Sequence, residues 1–198
     1  LKILSDEIYS RILYDNAKFI SLLEYPQLKD RVIILDGWSK TYAMTGWRIG
    51  YGVWPKEYAK IAEQLNINSF SCTNTATQFA AIAALQGPQD SVDLMVSEFD
   101  KRRKIMIEQL NEIKGFECSN SKGAFYLFPS IKKTGLKSND MENILLNKIG
   151  IAAVSGNSFG KLGEGYIRFS YANSEENIKL ALKKIKEYSK TIGWNAKT

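Results

Sequence analysis

The chain has 198 residues, 44% hydrophobic and 24% charged, enough for one large core or two modest ones and unlike a disordered segment. Its formal charge of +6 would admit a nucleic-acid partner, but basic residues such as Lys101-Arg102-Arg103-Lys104 and Lys179, Lys183, Lys184, Lys186 follow helical spacing and read as solvated helix faces. There is no histidine, so imidazole-based serine and cysteine triads and the common zinc hydrolases are excluded.

Taken in chain order, Arg31-Val-Ile-Ile-Leu-Asp36 is a short branched apolar run that reads as a buried strand delivering Gly37 and Lys40 at its end. Residues 47–54 read as a second strand with Arg48 near its start. Pro55 opens a helix expected to run to about Asn66, with the proline at a favourable first position. A polar stretch over 68–75 follows, then an alanine-rich helix over 76–85 closed by Gln86-Gly-Pro-Gln-Asp90. Apolar residues from Val92 to Ile113 keep helical spacing, with Gly115 as the stop, predicting a long helix that bridges two lobes. Beyond it the pattern predicts strands over 123–129 and 150–154, a helix over 139–149, a strand carrying Arg168 and a final helix opened by Ser174-Glu-Glu. This mixture indicates a small α/β lobe, which sets a domain boundary near residue 90 and divides the chain into 1–90 and 91–198. Cys72 and Cys118 have neither metal-ligand spacing nor a framework of bridges, which suits a reducing cytoplasm, and no apolar run reaches membrane-spanning length.

The stretch from Ser39-Lys40 through Gly46-Trp-Arg48 to Gly50 sets one lysine and one arginine eight residues apart across a small-residue turn. A lysine amine attacks a carbonyl only when neutral, and its ordinary pKa of about 10.4 forbids that at neutral pH unless a nearby cation or an apolar pocket lowers it. Arg48 keeps its charge, and its planar fork suits a phosphate. The pair reads as an imine-forming lysine beside an anion clamp, or else as two basic residues flanking a solvated turn. Read singly, Asp6 fits a cap or turn, Tyr9 a core position, and Arg168 a solvent-facing place on an alternating strand.

Four segments in order give the chain a more specific likeness. The Lys40 stretch, Leu4-Ser-Asp6-Glu-Ile-Tyr9 with Tyr14-Asp15, Gly123-Ala-Phe-Tyr-Leu-Phe-Pro129 and Gly165-Tyr-Ile-Arg168-Phe-Ser-Tyr-Ala172 together resemble the class I/II aminotransferases. These are fold type I enzymes of the aspartate aminotransferase superfamily that use pyridoxal 5'-phosphate. The resemblance implies an α/β fold, truncated to the C-terminal part of the large-domain mixed sheet (1–90) plus the small C-terminal domain (91–198). It implies the Schiff-base role for Lys40, a phosphate contact for Arg48, the pyridine-nitrogen partner for Asp6, the phenol contact for Tyr9 and the substrate carboxylate for Arg168. Where the family often carries a phosphate-binding serine this chain has Gly37, leaving Ser39 as a weaker substitute. The implied activity moves an amino group between an L-amino acid, aspartate or aromatic first, and a 2-oxo acid. A lyase or acyltransferase of the same fold, or an inactive fragment serving as a dimerisation module, stands as the alternative. The likeness also implies a homodimer, approached through the 68–75 stretch, and a missing N-terminal half holding the glycine-rich phosphate loop and the aromatic that stacks on the ring. Neither nucleic acid nor membrane is an expected partner.

Overall fold

The branched run of the lysine segment forms the central strand of a sheet because its alternate side chains, Val32 and Ile34, are buried to within 3% of full cover. The structure, a computed structural model, describes residues 1–192, so 193–198 of the segment expected at 91–198 lie outside the described residues. The chain divides into two compact units after Met95.

In the first unit β1 (Ile3–Asp6), β2 (Val32–Gly37) and β3 (Gly50–Val53) form a sheet in that order. β1 and β2 are parallel, with Asp6 opposite Leu35, and β2 and β3 are antiparallel, with Gly37 opposite Gly50. The strand expected over 47–54 begins later, because residues Thr45–Trp47 form a 3₁₀ turn and Arg48 leaves it in the left-handed region, φ 53°. Arg48 therefore stands before the strand and not in it. α1 (Lys56–Phe70) outruns its expected end, and Pro55 caps it from outside the first turn. Asn68 donates from Nδ2 to the Gln64 carbonyl at 2.7 Å, so its amide is satisfied along the helix, and the polar stretch shrinks to residues 71–74. α2 (Thr75–Gln86) starts where the Asn74 side chain accepts from the Thr77 N–H at 3.1 Å.

α3 (Asp90–Asn111) contains the division between the units. Met106 and Leu110 line its buried side, as their spacing predicts, but so does Arg103, which is 1% exposed. Its guanidinium donates to Asp100, to Asn120 Oδ1 and to the Ser121 carbonyl, which corrects the solvated-face reading at Arg103, while Lys101 and Lys104 are exposed as that reading expects. Hydrogen bonds to a carboxylate, an amide and a carbonyl replace the water this cation gives up.

The second unit's sheet is β4 (Tyr126–Leu127), β6 (Ile167–Ser170) and β5 (Val154–Ser155), with β6 central and both pairs antiparallel. The outer strands are shorter than expected. Ala124 at φ 59° turns the chain just before β4. The helix expected over 139–149 is α4 (Ser138–Ile144) followed by a π turn, Leu145–Ile149, and the Ile151 N–H returns to the Leu145 carbonyl at 2.7 Å, so Ile151 is tied to that turn and the strand starts only at Val154. A Cβ on Gly156 would overlap the Gly163 carbonyl, so two backbones touch beside β5 as only glycine allows. α5 (Glu175–Ile192) buries Ile178, Leu182 and Ile185 along one stripe. Among the described residues no helix is long and apolar enough to cross a membrane, and no acidic or cysteine cluster could hold a metal.

Candidate functional site

Parallel pairing sets the C-terminal ends of β1 and β2 side by side, the position at which open α/β sheets place ligands. A cavity of about 310 Å³ opens there. Asp6 and Ile8 line it from the end of β1, Asp36, Gly37 and Ser39 from the end of β2, and Arg48 to Gly50 from the approach to β3. Three sequence-predicted residues, Asp6, Ser39 and Arg48, thus meet on one cavity.

Each is held by its local backbone. Asp6 is exposed and accepts the Ile8 N–H at 3.2 Å, leaving carboxylate capacity toward the cavity. Lys40 follows Ser39 in a turn closed by Tyr42 N–H to the Trp38 carbonyl at 3.1 Å and Ala43 N–H to the Lys40 carbonyl at 3.3 Å. Buried Thr41 and Met44 seat that turn, and Lys40 is half-buried. Arg48 donates from Nη1 to the Thr45 carbonyl at 2.7 Å, which folds the guanidinium over its own 3₁₀ turn. Ala43 and Arg48 both carry positive φ without being glycine, a backbone conformation that non-glycine residues seldom adopt. Lys40 and Tyr9 do not contribute to the cavity wall. Tyr9 sits half-buried in the turn after β1, its carbonyl accepting the Ile12 N–H at 3.0 Å.

Gly37 has a steric explanation. A Cβ there would come within 2.9 Å of Gly50 Cα and of the Ile49 carbonyl oxygen, so a serine does not fit while β2 and β3 pair this closely. Sequence reasoning passed over Asp36. It lines the same cavity, accepts the Gly37 N–H at 2.6 Å and the Tyr51 hydroxyl at 3.4 Å, and is pushed up from the ordinary aspartate range, chiefly by burial. The Tyr51 hydroxyl is pushed up too, by burial and then by Asp36. An acid closing an otherwise apolar strand was the available signal.

Arg168 belongs to the second unit. On β6 its neighbours Ile167 and Phe169 point into the core, and Arg168 takes the other face, half-buried. Its guanidinium carbon lies over the Tyr126 and Phe159 rings, 4.5 Å from each centroid, so it is stacked between side chains and not simply solvated.

The donor set at the strand ends fits a flat heterocycle carrying a phosphate. Arg48 and Ser39 offer phosphate donors, and Asp6 offers an acceptor for a protonated ring nitrogen.

A family model described as aminotransferase class I and II matches residues 1–185. The aspartate aminotransferase of Pyrococcus abyssi is 38% identical over 189 residues, 94% of this chain and 48% of that protein. Aromatic-amino-acid aminotransferase 2 of Thermococcus litoralis is 36% identical over 192 residues, 96% of this chain and 49% of that protein. The solved structure of an aromatic aminotransferase from Pyrococcus horikoshii superposes with a TM-score of 0.94 at 36% identity, over 98% of this chain and 52% of that one. The chain spans about half the length of the curated relatives it matches.

Proposed function

The chain belongs to the class I and II aminotransferases, a pyridoxal 5'-phosphate-dependent family, and from that premise we propose that it is the cofactor-anchoring, carboxylate-gripping half of an amino acid aminotransferase. The observation that supports this most is the convergence of Asp6, Ser39 and Arg48 on one cavity at the strand ends, with Ser39 next to Lys40 in sequence. When bound, the cofactor supplies an electron sink for the bond broken at the amino acid's α-carbon. Lys40 would be the residue that holds the cofactor, and its free amine would serve as the base that moves the proton at that carbon. Asp6 would hold a proton on the ring nitrogen, Tyr9 would bond the phenolic oxygen, and Arg48, with Ser39, would bind the phosphate. Arg168 orients the substrate through its carboxylate. Residues 1–90 are the C-terminal part of the large domain in this reading, and 91–198 are the small domain.

The substrates are an L-amino acid and a 2-oxo acid. Relatives of similar identity are named for aspartate and for aromatic amino acids, so these are the first two amino donors to test. The partners we propose are an N-terminal half and a second copy in a homodimer working in the cytoplasm. Among the described residues β1 and β3 each have an unpaired edge, and Ile61, Leu65, Phe70, Phe79 and Leu85 on α1 and α2 are more than half exposed, an apolar surface that a lone soluble chain rarely leaves open.

Borohydride trapping tests the reading. Wild-type chain given pyridoxal 5'-phosphate and then reduced should carry one cofactor mass, mapped to Lys40. Lys40→Ala should carry none, and Arg168→Ala should keep the label while losing amino acid affinity by about 2–5 kcal/mol. Label scattered over surface lysines in wild type and Lys40→Ala alike overturns the assignment.

A further inference from the structure

We propose that Tyr126 and Phe159 are positioning residues that hold the Arg168 guanidinium ready for a carboxylate, an inference that rests on Arg168 taking the substrate carboxylate. The two rings come from the two sides of β6. Tyr126 lies on β4, paired with Ser170, and Phe159 ends the 3₁₀ turn Gly156–Phe159 that follows β5, whose Val154 is paired with Arg168. Each ring centroid is 4.5 Å from the guanidinium carbon. A ring attracts a cation through its face, so neither ring competes for the in-plane N–H donors that a carboxylate needs. Among the described residues no carboxylate, carbonyl or hydroxyl is paired with that guanidinium.

This arrangement addresses the main cost of using an arginine to bind a small anion. The side chain is long and rotamer-rich, and freezing it when substrate arrives subtracts from affinity. Stacking freezes it beforehand. The root is already fixed, since Ile167 and Phe169 are pinned in the core on either side of Arg168. Phe159, itself 51% exposed, is braced in turn: it meets Phe128 edge-on at 5.8 Å, and Phe128 stacks on Tyr166 at 5.3 Å with the planes 5° apart. The turn that carries Phe159 is capped by Ser155 Oγ, which accepts the Asn157 N–H at 3.4 Å and donates to Asn139 Oδ1 at 2.7 Å.

The test is side-chain NMR of the full chain, with succinate as the carboxylate probe. In the free wild type the Arg168 Hε and Hδ signals should be shifted upfield by the rings and should respond saturably to succinate. Phe159→Leu and Tyr126→Leu should each lose the part of the upfield shift that its ring supplies and bind succinate about tenfold more weakly, the scale of one cation–π contact. Phe159→Tyr and Tyr126→Phe should keep both, and unchanged amide dispersion separates positioning from misfolding. Unshifted Arg168 signals in the wild type, or leucine variants that bind as wild type, overturn the positioning role while leaving the carboxylate reading intact. Ring-shifted signals that ignore succinate refute the carboxylate reading and the positioning role with it.

Discussion

The two units solve the problem of covering a three-stranded sheet differently. Residues from 96 onward bury Leu110, Ile113, Leu127, Ile131, Met141, Leu145, Ile167, Tyr171 and Ile185 to 2% exposure or less, a continuous core drawn from helices, loops and strands alike. The first unit buries Ile12, Val32 and Ile34 as well, but leaves Leu4, Ile61, Leu65, Phe70, Phe79 and Leu85 more than half exposed, and every residue of β3 is exposed. At about 25 cal/mol per Å² of apolar surface, what the first unit leaves in water is stabilisation it has yet to collect. The second unit is the better closed of the two and the first the more open, and the candidate cavity at the strand ends lies in the open one. A site built on an incompletely covered sheet has less packing to hold its side chains in place.

The sharpest way to break this contrast is to damage the closed unit. Arg103→Met removes the donor to Asp100, Asn120 and the Ser121 carbonyl. Asp100 keeps Lys104 at 2.7 Å and is a quarter exposed, so the charge left behind is partly solvated, which puts the expected loss near 3 kcal/mol, the low end for a broken buried pair. Hydrogen exchange should show it as lost protection in β6 and α5 with β2 unchanged. Equal loss in β2 would mean that the two units do not open separately.

Arg103 also marks where sequence reading stops. The lysine strand, the long helix and the final helix were legible because their apolar periods are local. Arg103 looked solvated because it sits in a basic cluster at helical spacing, and the partners that bury it, Asn120 and Ser121, lie beyond the helix end. Strands of two residues on either side of β6 were overestimated for a related reason: a left-handed Ala124 and a π turn at 145–149 are decided by packing, and nothing in an alanine or a leucine announces them. At the candidate site, residue types announced Lys40 and Arg48 but not their conformations. Gly46 is the residue one would choose for positive φ there, yet Arg48 has it.

That strain offers a second, smaller lever, this time on the open unit. A non-glycine residue in the left-handed region costs about 1–2 kcal/mol, and the lost bond to the Thr45 carbonyl and the freedom glycine adds to the unfolded chain offset most of that relief, so Arg48→Gly should stabilise the first unit by no more than about 0.5 kcal/mol while weakening phosphate binding. Thermal unfolding of the β2 region checks the first effect and inorganic phosphate titration the second. Destabilisation on substitution would show that the turn needs the side chain more than the backbone resents it.

The smallest effect expected, and the most local, concerns Asp36. Burial, helped by the nearby Glu7 charge, raises its folded pKa above the ordinary aspartate value, against the pull of the Gly37 N–H and the Tyr51 hydroxyl. A raised carboxyl means that the folded state holds a proton the unfolded chain has already released. Its contribution is therefore fully present below the ordinary aspartate range and is lost as pH rises through the raised value, so at neutral pH the ionised carboxylate is a net cost to the first unit. Asp36→Asn keeps an Oδ1 for the Gly37 N–H, offers an N–H to the Tyr51 oxygen and removes the charge. The variant should unfold at a higher temperature than wild type at neutral pH, and the gain should fade on acidification below the ordinary aspartate range, with protection in β6 unmoved throughout. A loss of stability at neutral pH would instead mean that the two hydrogen bonds to the ionised carboxylate outweigh its burial, and that the cavity floor is built to carry a charge.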